Sequence, residues 1–217
     1  MKRSNNYKKV NNKLICHAYY EHIDVINENG EIIDRYEGCF RKVIGYGNLI
    51  WYEKNNIIIS DSNGRRNIKL NTNMLYDMTT DGRYIYILSD SKIIKYNTGG
   101  EYIKEWDLDS KLYFGKIIVD HDEIYVLKYS TNVINVYSNN GTFIRKIIND
   151  CLIVQFDVHE SYVYVINLSV IKVFTKEGKL IYDKKHDIGG IFYNLLVIDD
   201  TMYVDADKIM IYKIKFY

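Results

Sequence analysis

The chain repeats one short, strand-like pattern at an almost constant spacing along its 217 residues. In each repeat a cysteine or an aromatic residue lies in a short run where large apolar residues alternate with others. The six recurring positions, 35 or 39 residues apart, are Cys16, Trp51, Tyr86, Tyr125, Tyr164 and Tyr203. Units of roughly 35–45 residues that each hold several short strands are typical of a β-propeller. No other sequence feature restricts the fold as strongly.

The third repeat, residues 74–109, is the best formed. Its apolar and aromatic runs at 74–78, 84–88, 92–96 and 101–106 are separated by short polar turns. Aromatic and β-branched residues favour strands, and tight turns join antiparallel neighbours. Each repeat is therefore predicted to be a four-stranded antiparallel meander, which is one propeller blade.

A glycine marks the turn before the last strand in five repeats. These glycines are Gly30, Gly64, Gly100, Gly141 and Gly178. A tight hairpin needs a residue that adopts positive φ without a Cβ penalty. An apolar doublet or triplet follows four of the five glycines, whereas Arg65, Arg66 and Asn67 follow Gly64.

The repeats predict an all-β chain, with residues 1–217 forming a single β-propeller domain. Six blades are expected at about residues 7–38, 41–72, 73–109, 113–149, 152–187 and 191–217. The last one has sequence for only three strands. It is expected either to stay incomplete or to be closed by the N-terminus, with residues 1–6 laid against residues 209–215, because open sheet edges invite aggregation.

The third repeat, TDGRYIYILSDSKIIKYNTGGEYIKEW, resembles NHL-type repeats of six-bladed β-propellers. Residues 81–82, 84–88, 90 and 100–103 carry the likeness, and the fourth and fifth repeats keep its outline. NHL repeats usually open with a proline, which this chain lacks. The resemblance implies a fold more than a function, since propellers include hydrolases, lyases, lactonases and binding modules.

Charge and cysteine usage restrict the function classes. The formal net charge is +1, so no global field draws the chain to nucleic acid or to an anionic membrane. The three cysteines, Cys16, Cys39 and Cys151, are too widely spaced for a zinc site and odd in number for a disulfide framework. No signal-peptide core or membrane-length apolar run is present. We therefore expect an intracellular, cytoplasmic protein without membrane contact.

The 22 tyrosines and the many isoleucines, lysines and asparagines are residues of A/T-rich codons. This bias favours an accessory or structural protein of an A/T-rich microbe or a large DNA virus. A viral protein of this kind is expected in the host cytoplasm or the virion.

The sequence favours a non-catalytic protein, with no catalytic residue, metal site or cofactor predicted. Nucleophile, dinucleotide and P-loop motifs are missing, and the five histidines form no compact cluster. One alternative is a calcium-dependent propeller hydrolase of the lactonase or esterase type, since Ca²⁺ takes six to eight oxygen ligands. Its candidate ligands are Asp90, Asn132, Asn167, Asp205 and Asp207.

A second alternative is an NHL-like propeller that binds single-stranded RNA. Stretches such as KIIKYNTGGEYIKEW interleave lysine with tyrosine, which suits phosphate contacts and base stacking. Alternating lysine is equally typical of solvated outer strands. With a net charge near zero, nucleic acid is not the favoured partner.

The favoured hypothesis is a scaffold or interaction module that presents propeller faces to a protein partner. Aromatic residues are enriched in protein interfaces, and two loops here are rich in them. The candidate partner-binding residues are Leu112, Tyr113, Phe114, His186, Ile188, Phe192 and Tyr193. The sequence does not determine the oligomeric state.

Thermal unfolding with Ca²⁺ and with a chelator separates the interaction module from the calcium-dependent hydrolase. A ligand that binds only the folded state raises its stability by mass action. For an interaction module we expect the same Tm under both conditions and no calcium in the purified protein. A rise in Tm that depends on calcium would instead favour the hydrolase.

Overall fold

The computed structural model describes residues 4–10, 13–18, 22–26, 31–37, 42–46, 48–53, 56–61, 64–70, 75–89, 91–108, 115–128, 131–185, 192, 194–198, 201–205 and 209–213. All regular structure in these residues is β-strand, as the sequence predicts. Within the same residues, no helix has the length and apolar character needed to cross a bilayer. The chain divides into two compact units, Met1–Leu112 and Tyr113–Tyr217.

The first unit contains three antiparallel sheets of four strands each, counted over the described residues. The first sheet is formed by β1 (Ser4–Val10), β2 (Lys13–Ala18), β3 (His22–Ile26) and β4 (Ile32–Glu37). The second is formed by β5 (Lys42–Tyr46), β6 (Asn48–Glu53), β7 (Asn56–Asp61) and β8 (Gly64–Lys69). The third is formed by β9 (Leu75–Thr80), β10 (Tyr84–Ser89), β11 (Lys92–Asn97) and β12 (Tyr102–Asp107).

The second unit continues the pattern. Its first sheet is formed by β13 (Gly115–Asp120), β14 (Glu123–Lys128), β15 (Val133–Ser138) and β16 (Phe143–Ile148). Its second is formed by β17 (Gln155–His159), β18 (Tyr162–Asn167), β19 (Val170–Thr175) and β20 (Leu180–Lys185). The last is formed by β21 (Asn194–Ile198), β22 (Thr201–Asp205) and β23 (Ile209–Lys213).

The six recurring residues occupy one register position in all six sheets. Each lies on the second strand and is paired with a residue near the middle of the third. The pairs are Cys16–Asp24, Trp51–Ile58, Tyr86–Lys95, Tyr125–Val136, Tyr164–Val173 and Tyr203–Ile211. The period read from the sequence is therefore the repeat of the sheets.

The predicted meander is confirmed strand by strand in the third sheet, where bounds differ from the prediction by at most two residues. The hairpin glycines are confirmed at three positions, with φ of +94° at Gly100, +89° at Gly141 and +94° at Gly178. Gly64 is the first residue of β8, and Gly30 lies outside the described residues.

The last sheet has three strands in the described part of the chain, which is the incomplete form of the two that we considered. The alternative in which residues 1–6 pair with residues 209–215 is corrected by the register of β1. Ser4 and Asn6 are paired with Ala18 and His17 of β2, so the N-terminal segment is the first strand of the first sheet, beside β2.

Within each unit, the described core residues lie between consecutive sheets, which pack face to face. In the second unit, β18 shows why both faces of a strand must be apolar. Val163 and Val165 pack against residues of the preceding sheet, while Tyr164 and Ile166 pack against the following one. Successive side chains point to opposite faces of a sheet, so a strand buried on both sides needs large apolar residues at every position.

Replacing Gly100 by alanine should destabilise the chain more than the same change at Gly178. Both residues have φ of +94°, which costs alanine about 1–2 kcal/mol. Only at Gly100 would the new Cβ meet a neighbour too closely, at 2.8 Å from Ile68 Cγ1. At Gly178 the nearest atom, Lys146 O, is 3.6 Å away.

Urea unfolding of Gly100→Ala and Gly178→Ala checks this, because the second variant isolates the cost of positive φ. We expect Gly100→Ala to lose about 1 kcal/mol more than Gly178→Ala, as overpacking typically costs that much or more. Equal losses would show that Ile68 moves aside freely.

Candidate interaction site

The last strand of three sheets exposes two consecutive large apolar side chains. The pairs are Tyr102 and Ile103, Phe143 and Ile144, and Leu180 and Ile181. In each sheet the register shifts at the first pair of residues after the hairpin. Such a bulge places two residues opposite one and re-aims side chains. The apolar doublets that follow Gly100, Gly141 and Gly178 are therefore surface features.

The two aromatic rings among these residues are each held by an aromatic partner on the adjacent strand. Tyr102 lies 5.9 Å from Tyr96, and Phe143 lies 5.8 Å from Tyr137, each pair edge to face. This arrangement is a favourable one for aromatic rings. The partner ring is buried in both cases, so it anchors a neighbour that remains 55% exposed at Tyr102 and 43% exposed at Phe143.

Tyr102 differs from Phe143 because it lines a groove. This groove, of about 910 Å³, lies in the first unit between β8 of the second sheet and strands β11 and β12 of the third. Residues 66–69 of β8 form one side, and Tyr102 and Glu105 of β12 lie on the other. Ile94, Tyr96 and the hairpin glycines Gly99 and Gly100 complete the lining. We call it the β8–β12 groove.

The β8–β12 groove combines an apolar floor with a basic side. Ile68, Ile94 and Tyr96 belong to the core between the two sheets, and burial raises the pKa of Tyr96. Arg66 and Lys69 are exposed on β8. Glu105, on the opposite side, forms an ion pair with Lys92, whose pKa this carboxylate raises. The groove therefore combines apolar contact surface at its floor with basic side chains on one side, as a binding surface does.

A polar cluster in the second unit is fully engaged in structural contacts. Arg145 donates from Nη1 and Nη2 to Oε1 and Oε2 of Glu123, at 2.6 and 2.7 Å, and from Nε to the Lys176 carbonyl at 2.5 Å. Lys176 also contacts Asp120. The hydrogen bond from Arg145 lowers the pKa of Glu123. Burial and the hydrogen bond to Glu123 raise the pKa of Tyr125.

One predicted partner-binding residue is described, and it lies in the core. Phe192 is fully buried among residues of the last two sheets, and its backbone N–H donates to the Leu168 carbonyl at 2.9 Å. The others lie outside the described residues. They are Leu112, Tyr113, Phe114, His186, Ile188 and Tyr193.

The calcium-ligand candidates that the structure describes make local contacts. Asn132 donates to the Asn149 carbonyl at 2.6 Å, and Asn167 accepts from the Leu168 N–H at 2.5 Å. Asp205 is paired with Asn194 and Ile209 in the last sheet, while Asp90 and Asp207 lie outside the described residues. Among the described residues, no group of three or more His, Cys, Asp or Glu side chains is arranged to hold a metal ion.

The lysines of the predicted RNA-binding stretch have structural contacts. Lys92 pairs with Glu105, and Lys95 is buried with its Nζ 3.8 Å from the Tyr84 ring centre. Lys104 Nζ lies 5.1 Å from the Trp106 ring centre. These contacts explain the alternation of lysine and aromatic residues by packing within one sheet.

The sequence prediction missed Arg66, Lys69 and Tyr102 as site residues. A signal for them was present, because Gly64 is the one hairpin glycine followed by arginines instead of apolar residues. That departure from the repeat places a basic strand beside the exposed Tyr102.

No protein-family model and no curated protein sequence matches the chain. Several solved structures do match it in fold. Hsv2 from Kluyveromyces marxianus matches with a TM-score of 0.73 at 12% identity, covering 98% of this chain and 73% of that one. Hsv2p from Kluyveromyces lactis matches with a TM-score of 0.69 at 14% identity, covering 96% and 73%. The Neurospora crassa Pan2 WD40 domain matches with a TM-score of 0.59 at 11% identity, covering 94% and 86%.

These structures are β-propellers, and together with the consecutive antiparallel sheets they confirm the predicted propeller fold. Their sequence identity is too low to carry a function to this chain. The NHL-like type of the repeat stays a prediction.

Replacing Arg145 by methionine should destabilise the chain at pH 7 but much less at pH 3. A carboxyl whose pKa is lowered on folding stabilises the folded state above its ordinary pKa, here 4.5. That contribution disappears as the pH falls through the lowered value. We expect a loss of about 1–2 kcal/mol at pH 7 for this partly exposed pair.

Urea unfolding at both pH values measures the effect. Lys146→Met is the matched control, since Lys146 is an exposed cation on the same strand. An equal loss for Arg145→Met at pH 7 and pH 3 would assign the effect to packing of the arginine side chain.

Proposed function

We propose that this chain is a protein-interaction module and that the β8–β12 groove binds a segment of its partner. The observation that carries the proposal is the exposed Tyr102 ring, which is anchored by Tyr96 at the edge of an open groove with an apolar floor. Tyrosine and arginine are the residue types that dominate binding energy in protein interfaces. Both line this groove.

The groove also has the anatomy of an interface. Its apolar residues lie at the floor, and its charged residues lie at the sides, which corresponds to an apolar centre with a polar rim. Its volume lies within the range of about 300–1,000 Å³ that is typical of ligand-binding clefts. None of its lining residues is arranged as a nucleophile with an adjacent base, so the proposal is for binding without catalysis.

Several finer predictions accompany this proposal. They are a single domain over residues 1–217, an NHL-like repeat, a cytoplasmic location, and an origin in an A/T-rich microbe or large DNA virus. They rest on the sequence arguments given above.

Affinity capture from a lysate of the source cells, read by quantitative mass spectrometry, tests the function. Tyr102→Ser should lower the recovery of the partner about tenfold, because truncating an interface hot spot typically costs more than 1 kcal/mol. Phe143→Ser is the matched control. It removes an exposed ring with the same edge-to-face anchor, on the equivalent strand of a sheet outside the groove.

A partner recovered by the wild type and by Phe143→Ser, but lost with Tyr102→Ser, is the expected result. Equal recovery by all three proteins would contradict the groove as the binding site. Recovery of RNA in place of protein would favour the nucleic-acid alternative.

A further inference from the structure

We propose that the outer strands β16 and β20 of the second unit form a second interaction surface, which binds an acidic partner protein through aliphatic contacts. This inference goes beyond the proposed function and does not depend on the β8–β12 groove. We call this region the β16–β20 surface. Its central residues, all exposed, are Ile144, Lys146, Lys179, Leu180 and Ile181.

A contact between consecutive sheets brings these two strands together. Arg145 of β16 donates from Nε to the carbonyl of Lys176, in the hairpin before β20, at 2.5 Å. In the same hairpin, a Cβ on Gly178 would lie 3.6 Å from the Lys146 carbonyl oxygen. The residues that follow the hairpin therefore begin beside β16, and the exposed side chains of the two strands form neighbouring parts of one surface.

Two bulges provide the apolar part of the β16–β20 surface. The register of β16 against β15 skips Ile144, and the register of β20 against β19 skips Ile181. Ile144 is 44% exposed, Ile181 is 38% exposed, and the adjacent Leu180 is 43% exposed. Large apolar side chains that are exposed close to one another are typical of interaction sites.

Exposed lysines surround this apolar part. They are Lys146 on β16, Lys179 at the hairpin, and Lys184 and Lys185 at the end of β20. In the described part of the chain, no acidic side chain forms an ion pair with any of these four lysines. Lys146 Nζ lies 5.9 Å from the Phe143 ring centre, a contact that leaves its positive charge uncompensated.

The acids of the same segments are already engaged. Asp150 and Asp183 both form ion pairs with the buried Lys172, at 2.7 and 3.0 Å. Glu177 in the hairpin accepts a hydrogen bond from the Thr175 hydroxyl, which lowers the pKa of its carboxyl. The β16–β20 surface is therefore locally positive, and the complementary charge on a partner is negative.

The apolar part favours a protein over a nucleic acid. Its three residues are aliphatic, whereas proteins that bind single-stranded nucleic acid stack the bases on aromatic rings. Isoleucine and leucine gain instead from contact with apolar side chains, because this contact removes apolar area from water. The partner therefore presents carboxylates next to aliphatic or aromatic side chains.

Sorting a yeast-displayed library of random peptides tests this chemistry. The library is enriched for binding to the labelled wild-type chain. Clones are then kept only if they bind Ile103→Ser and lose binding to Ile181→Ser. Ile103 is the matched control, because it is 44% exposed and the register of β12 skips it in the same way.

We expect the retained clones to be enriched in Asp and Glu relative to the starting library, with large apolar residues among the acids. Ile181→Ser should weaken their binding about tenfold, as truncation of an interface hot spot does. Clones that depend on Ile181 without acidic enrichment would overturn the acidic partner. Failure to obtain any clone that depends on Ile181 would overturn the surface itself and leave the β8–β12 groove untouched.

Fluorescence anisotropy with a selected acidic peptide gives the second measurement. Lys179→Glu should weaken binding about three- to tenfold, as expected for loss and reversal of an exposed ion pair. Arg83→Glu, which changes an exposed cation of the first unit, should leave binding unchanged. Added salt should weaken binding of the wild type by screening. Equal effects of the two charge reversals would overturn the role of the lysines.

Sedimentation of the unlabelled chain, alone and with vesicles of phosphatidylcholine and phosphatidylserine, tests the other occupants. We expect a monomer that stays in solution when the vesicles are pelleted. Vesicle binding that Lys179→Glu abolishes would assign the surface to anionic lipid and overturn the proposal. A dimer that Ile181→Ser dissociates would assign it to self-association, with the same consequence.

Discussion

The contact between the Gly100 hairpin and Ile68 determines how the second and third sheets meet. Gly100 adopts positive φ and has no Cβ, so the hairpin approaches the outer strand β8 to a distance at which an added Cβ would lie 2.8 Å from Ile68 Cγ1. With the hairpin in this place, Ile94 and Tyr96 join Ile50, Ile57 and Ile59 in one core. The β8–β12 groove is the open continuation of that contact toward solvent.

Burial of the middle strands explains why the exposed apolar side chains lie on the outer strands. The middle strand β18 contributes side chains to the cores on both sides of its sheet. The last strand is buried less and meets solvent along its length, for example at β20. A bulge after the hairpin then exposes two apolar side chains in succession. Exposed apolar side chains on an outer strand therefore cost the core little.

The fold followed from the sequence because its determinants are local and repeated. The turn glycines and the alternation of residues around Tyr86 and Tyr125 specify each meander without reference to other sheets. The N-terminal strand was harder to place, because the segment at Ser4–Val10 is polar at most positions, and only its pairing with β2 identifies it as part of the first sheet.

The candidate site could be predicted from the sequence much less well than the fold, for a physical reason. Phe192 belongs to an apolar stretch of the sequence that suits an exposed contact with a partner. The same stretch is equally suited to the core, where the ring of Phe192 packs. The groove, by contrast, depends on two strands from different sheets, and nothing in the pattern of one repeat shows which side chains meet across them. Only the replacement of the apolar doublet by Arg66 and Asn67 indicated the place. In a repeat protein the shared residues maintain the fold, so a departure from the repeat that leaves the core intact is free to serve binding. The arginines after Gly64 are such a departure: they lie on the exposed part of β8, while Ile68 of the same strand keeps its place in the core.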